Sequence, residues 1–242
     1  MKWCSSLRRV YWVAMMAALS ACATTGNGPV AGHPDDPWER ANRATFAFNE
    51  TLDAWIVKPL AKGYDFVMPT PARAGVSNFF GNVEDLWIGL NNFLQGKPAD
   101  AVSDVGRVLV NSTMGIGGLI DVASPMGLEK HNEDFGQTLA VWGVGNGPYV
   151  VMPIFGPKTL RDSGGFVVDY FADPLNQVNP EHARYGFSLV HLMDIRAGLL
   201  PAEKVLDSAA LDKYDYLRSA FLQRRRSLIF DGSPPREEVP EE

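Results

Sequence analysis

The sequence predicts an all-α fold in a single domain, and three observations carry this. Apolar residues recur at intervals of three and four through most of the chain. Proline and glycine mark several starts and stops of those patterns. No repeat and no convincing pair of strands stands out. With 46% hydrophobic and 21% charged residues in 242, the composition sits near that of a globular domain. It argues against a disordered chain, a collagen and a polytopic membrane protein. The formal net charge of −6 speaks against a nucleic-acid binder, which needs a basic face for phosphates.

The first residues read as an address. Lys2, Arg8 and Arg9 form a positive region, and an apolar run follows from Val10 to Leu19. At about ten residues it is too short for a spanning helix, which needs roughly 20. It suits the core of a secretory signal peptide over residues 1–21. Leu19-Ser20-Ala21-Cys22 resembles the bacterial lipobox. There, cleavage precedes the cysteine, whose thiol takes diacylglycerol and whose new α-amine takes a third acyl chain. Each buried methylene contributes about 0.8 kcal/mol, so such chains give stable anchoring at Cys22. Cleavage removes three positive charges and no acidic ones, taking the net charge from −6 to −9. It also removes Cys4, so the mature chain has no partner for a disulfide. Ala23, in place of the aspartate of an inner-membrane retention signal, points to the outer membrane.

Residues 22–35 are small and polar, as in a tether. A helical domain is expected over 36–230. Asp36 suits a cap, Pro37 the first helical position and Glu39 a capping box. Trp38, Ala41, Thr45, Phe48, Leu52 and Trp55 then form one stripe, read as core packing, and Pro59 marks its end. A second helix is expected over 71–95, with a wide apolar face and Gly96 as its stop. A third, over 98–113, should turn Val102, Val105, Val108 and Leu109 inward. Met114 to Ile120 is an apolar, glycine-rich turn that lacks the Gly-Lys-Ser/Thr of a phosphate loop, so it reads as membrane-facing or tightly packed. A short helix over 133–142 precedes Gly143 to Pro148, which lacks dinucleotide-binding spacing. Tyr149 to Phe155 is apolar, but Pro153 argues against a central strand. Helices follow over 159–170, 181–200 and 211–230. In the last, Tyr214, Leu217, Phe221 and Leu222 oppose Arg218, Arg224, Arg225 and Arg226. Residues 231–242 read as a disordered acidic tail.

Catalytic chemistry is not visible. His33, His131, His182 and His191 form no ligand pair at helical spacing. Ser163 lacks the glycine of a nucleophile elbow, because Arg161 holds that position. Glu133 and Asp134 are adjacent, so on a helix they point about 100° apart. No enzyme, no metal site and no cofactor beyond the acyl groups on Cys22 are expected.

The order of motifs resembles the MlaA (VacJ) family. It runs from Asp36-Pro37, Asn42-Arg43 and Phe48-Asn49 through Pro59 and Tyr64 to Phe93-Leu94-Gln95-Gly96. Arg107 and Asn111 precede Gly115, Gly117, Gly118 and Asp121. Phe135 to Leu139, Gly147-Pro148-Tyr149, Gly156-Pro157, Leu160-Arg161-Asp162 and Gln223-Arg224 complete it. The resemblance implies an all-helical ring around a central lipid channel, embedded in the inner leaflet of the outer membrane. It implies removal of phospholipids misplaced in the outer leaflet, with a trimeric porin and the periplasmic lipid carrier MlaC as partners. Asn42, Arg43, Phe48, Asn49, Asn111, Gly115, Gly117 and Gly118 are the candidates for the lipid path, the glycine turn supplying backbone freedom near the pore mouth. A structural lipoprotein that scaffolds porins without moving lipid is the alternative. The chain departs from the family pattern at Asn82 to Leu86, where an expected proline is missing and a straighter helix should result.

Overall fold

A computed structural model describes residues 33–236. The signal sequence, Cys22, most of the tether and residues 237–242 lie outside that range. Among the described residues the fold is helical: α1 (Glu39–Leu52), α2 (Lys58–Val67), α3 (Thr70–Leu94), α4 (Pro98–Thr113), α5 (Phe135–Val141), α6 (Leu160–Ala172), α7 (Glu181–Ala209) and α8 (Lys213–Ile229). None is long and apolar enough to cross a membrane. α3 runs unbroken for 25 residues, and α4 has the expected ends.

Several boundaries differ from expectation: α7 runs nine residues past its expected end, through Pro201 to Ala209, and two others lie near α1. α1 begins at Glu39, and Asp36 makes no cap. Its carboxylate is buried instead, accepting from Asn42 Nδ2 at 2.7 Å, Tyr214 OH at 2.6 Å and Arg218 at 3.0 Å. Pro59 does not stop the chain either. A π-helical turn over Asp53–Val57 precedes it, with Lys58 N–H bonded to Asp53 O. The wider turn rearranges the backbone bonding just where proline lacks a donor, and the helix continues to Val67.

A small antiparallel ribbon, not anticipated as a strand pair, joins α5 to α6. β1 (Tyr149–Met152) pairs with β2 (Gly156–Thr159), Tyr149 opposite Thr159 and Met152 opposite Gly156. Pro153 lies in the turn, where its missing N–H breaks no ladder bond. The ribbon's second support comes from a helix. Asn42 accepts from Val151 N at 2.9 Å and donates to Tyr149 O at 3.0 Å; Asn49 does the same for Ile154 N and Met152 O. Two asparagines one face apart on α1 thus replace a third strand. Tyr149, Val151 and Tyr214 close a compact core there with Phe46, Phe221 and Leu222.

The rest of the molecule is inverted. Among the described residues, the largest fully buried side chains are Gln137, Asn91, Asn92, Thr138, Thr159, Asp36, Asp85 and Asp104, every one polar. Trp55, Phe66 and Phe171 are 80%, 91% and 68% exposed. The Trp38–Phe48–Trp55 stripe therefore faces out, and Asn42 is the buried residue of α1. On α4, Val102, Val105 and Leu109 are exposed, while Ala101, Asp104, Arg107 and Asn111 point in. On α8, Tyr214, Arg218 and Arg225 share the buried face, correcting the expected arrangement. Periodicity located the two faces of each helix, but which face turned inward depended on polar partners elsewhere in the chain. The start of the acidic tail also packs back: Gly232 N bonds Ser227 O, and Asp231 pairs with Lys97 at 2.6 Å.

Candidate functional site

The candidate residues fall in two places. On α1, Asn42 and Asn49 hold the ribbon as described. Arg43 reaches Glu39 at 2.7 Å, Asp215 at 2.8 Å and Asp212 at 2.9 Å, and lies 4.3 Å from the Tyr214 ring centre. It thereby ties α1 to the capped start of α8, where Asp212 accepts from Tyr214 N and Asp215 N. Phe48, beside them, is 54% exposed.

The second place is a polar knot between α3, α4 and the segment after α4. Arg107, 2% exposed, donates to Asp85 at 3.1 Å, Ser124 at 3.0 Å, Leu128 O at 2.6 Å and Asp121 at 3.3 Å. Lys130 adds a second cation to Asp85. Asn111 accepts from Val122 N and Ala123 N and donates to Asp121. Burial pushes the Asp121 carboxyl up, but bonds from Ser124 and Asn111 and the Arg107 charge outweigh it, holding its pKa down at about 2. His131 and Asn92 bracket the buried Asp104 at 2.8 and 2.7 Å.

The glycine turn grows out of this knot. Gly118 N bonds Asn111 O, and Gly117 N bonds Ser112 O. A methyl on Gly115 would run into the carbonyl oxygens of Ile120 and Asn111. Gly118 has φ +89° and lies against Asn82, 2.8 Å from where its Cβ would stand. Gly115 and Gly118 thus allow close packing, while Gly117, at φ +70° with open space around its Cβ position, shares with Gly118 a left-handed backbone that favours glycine. Around them Met114, Ile116 and Ile120 are half to two-thirds exposed, so the turn presents apolar side chains on a rigid base.

Asp85 and Asp104 were not singled out from the sequence, although Arg107, Asn111 and Asp121 lay in the motif series. The available signal was the run of Asn82, Asp85, Asn91 and Asn92 inside an otherwise apolar helix. Arg225, read as surface, is buried and joins Asp134 at α5 to Asp162 at α6. Burial acts against its charge, but the two carboxylates keep its pKa above the ordinary guanidinium value.

Among the described residues, cavities open between these elements. One of about 800 Å³ lies between the Gly143–Gly147 loop and α8, with Arg161, Gln223 and Arg226 in its wall. Two smaller ones, of about 420 and 320 Å³, line one face of α3. No group of residues suited to holding a metal ion occurs among the described residues.

Comparison with known proteins places this geometry. The family model described as MlaA lipoprotein matches residues 34–228. The intermembrane phospholipid transport system lipoprotein MlaA of Escherichia coli is 36% identical over 226 residues, 92% of this chain and 88% of its own. The protein of the same description from Haemophilus influenzae is 32% identical over 222 residues, 89% and 87% of the two chains. A structure solved as the structural basis for maintenance of bacterial outer membrane lipid asymmetry superposes with a TM-score of 0.70 at 36% identity. It covers 82% of this chain and 99% of the solved one.

Proposed function

The chain belongs to the MlaA lipoprotein family, and on that premise we propose that it removes phospholipids misplaced in the outer leaflet and passes them inward. It is an envelope lipoprotein of intermembrane phospholipid transport, acting to maintain outer-membrane lipid asymmetry. The inverted distribution of polarity carries this reading. Among the described residues seventeen polar or charged side chains are buried against ten hydrophobic ones, and large apolar side chains face outward from nearly every helix. In water such a surface would aggregate. In the hydrocarbon of one leaflet it is solvated, and no spanning helix is needed.

The proposed mechanism is passive. A phospholipid crosses by a route that is wet for its head and apolar for its tails, so no step makes or breaks a covalent bond. Helices held by internal salt bridges keep such a route open without an apolar core to collapse it. Cys22, acylated, would hold the chain at the inner leaflet of the outer membrane. A trimeric porin would seat it, and the soluble carrier MlaC would receive the lipid. Asn42, Arg43, Phe48, Asn49, Asn111 and the glycines 115, 117 and 118 would act on the lipid path by fixing its walls.

Deletion of the gene, complemented with wild type or Cys22→Ala, tests this. We expect raised outer-leaflet phospholipid and detergent sensitivity, rescued by wild type alone. An unchanged envelope on deletion would overturn the transport reading; full rescue by Cys22→Ala would overturn the anchor.

A further inference from the structure

Two cavities follow one another along a single face of α3. Val76, Phe80, Glu84 and Trp87 are spaced four, four and three residues apart, so they share that face. Around Val76 and Phe80 lies the cavity of about 420 Å³, closed by Phe79, Leu119 of the glycine turn, and Phe187 and Val190 of α7. One turn further on lies the cavity of about 320 Å³, with Glu84, Trp87, Phe166, Asp169, Tyr170 and Asp173 in its wall. His191 marks the junction: its ring stacks on Phe80 with centres 4.2 Å apart, and Nε2 lies 3.5 Å from Glu84.

The chemistry changes sharply across that junction. The first cavity is walled by apolar side chains alone. The second receives five carboxylates. Two of them are neutralised within the fold, Glu133 by Lys97 at 3.2 Å and Asp134 by Arg225. Asp169 and Asp173 have hydrogen bonds but no salt bridge, Trp87 Nε1 and Phe135 N donating to the first and Leu175 N and Asn176 Nδ2 to the second, with Lys158 acting on Asp169 only as a more distant charge. Glu84 faces His191, and the nearby Lys130 is committed to Asp85. The cavity is therefore negative, with three aromatic rings in its wall. Carboxylates beside aromatic faces recognise an ammonium group by charge and by cation–π attraction. Burial pushes both Glu84 and Asp169 up, outweighing His191 and Lys130 on the first and the Trp87 and Phe135 donors on the second; smaller repulsion from Asp85 and Asp173 on Glu84, and from Asp134 on Asp169, adds to it.

Resting on the transport reading above, we propose that this face of α3 binds one zwitterionic phospholipid. Its acyl chain lies between α3 and α7 in the apolar cavity, and its primary ammonium lies among Glu84, Asp169 and Asp173. The site gives the protein a preference for ammonium headgroups over anionic ones. A phosphatidylglycerol head carries no cation, and its phosphate would enter the same negative field unrelieved.

The test uses the full-length acylated protein, purified in detergent and incubated with vesicles of equimolar phosphatidylethanolamine and phosphatidylglycerol with identical chains. Retained lipid is quantified by mass spectrometry. Wild type should retain phosphatidylethanolamine in about fivefold excess, the size of a partly exposed cation contact. Glu84→Gln with Asp169→Asn should bring the ratio near unity. Gly186→Leu fills the apolar cavity from α7, where an added Cβ meets nothing within 4 Å. It should lower both lipids together. Retention by wild type in the proportions offered would overturn the headgroup site and leave the transport reading standing. An excess that survives in the double variant would overturn the siting. Retention of no phospholipid at all would overturn both readings.

Discussion

Glu84 and Asp85 are neighbours on α3, yet they belong to two regions built on opposite rules. Asp85 is wholly buried and faces the knot, where Arg107 and Lys130 match its charge. Glu84 faces the cavity, half-exposed in area yet walled by enough protein to be desolvated, with His191 Nε2 3.5 Å away. In the knot every carboxylate has its cation or its donors. In the cavity Asp169 and Asp173 have donors but no salt bridge. The comparison teaches where this fold spends its polar groups. Charge-matched networks make the frame, and the cation-poor one is left facing open space. A buried charge is tolerated only with a partner, so a region short of cations has room for one from outside.

The sharpest way to break that contrast is Arg107→Ala. It leaves Asp85 buried with Lys130 alone and strips Asp121 of its charge partner. We expect a loss of about 3–5 kcal/mol in denaturant unfolding of the detergent-solubilised protein. A loss under about 1 kcal/mol would mean that the knot is no frame. Next is Gly115→Ala, which forces a methyl against two backbone carbonyls that cannot swing aside. Overpacking of this kind costs about 1–3 kcal/mol, read in the same unfolding experiment. Equal stability would show that the turn gives way and is not fixed by the knot.

The smallest effect sharpens the other side. Glu84→Gln should change stability by no more than about 0.5 kcal/mol, as at other half-exposed positions. Its sign is informative. The folded pKa of Glu84 is raised above 4.5, so the charged form is disfavoured in the fold, and removing the charge stabilises at neutral pH. That gain should fade as pH falls through the raised folded value. Asp121 behaves oppositely. Its folded pKa of about 2 gives stability that is present above pH 4 and lost as pH falls toward 2. A stability–pH series on wild type and Glu84→Gln separates the two; a gain that persisted in acid would place Glu84 outside the crowded group.

Much of the local structure was legible. Pro98 and Gly96 bounded α4 and α3 because a proline start and a left-handed glycine stop are local backbone chemistry. The stripe on α1 was found because 3.6-residue periodicity needs no tertiary information. Its direction was not legible. Val102, Val105 and Leu109 are as apolar as any core residues, and nothing in their spacing says that hydrocarbon lies outside. The ribbon was hidden for a related reason. β1 and the turn after it are supported by Asn42 and Asn49, more than 100 residues away, and that turn carries no two-residue hairpin signal.

The sequence by itself determined the helices, the apolar face of each and the family. Those rest on local periodicity, local caps and motif order. Only the tertiary structure decided which face is the inside. That choice depends on whether Asp85 finds Arg107, Asp36 finds Arg218 and Asp134 finds Arg225, across 22, 182 and 91 residues. A buried charge is too costly to leave alone, so these pairings set the interior, and the apolar faces took the surface that remained.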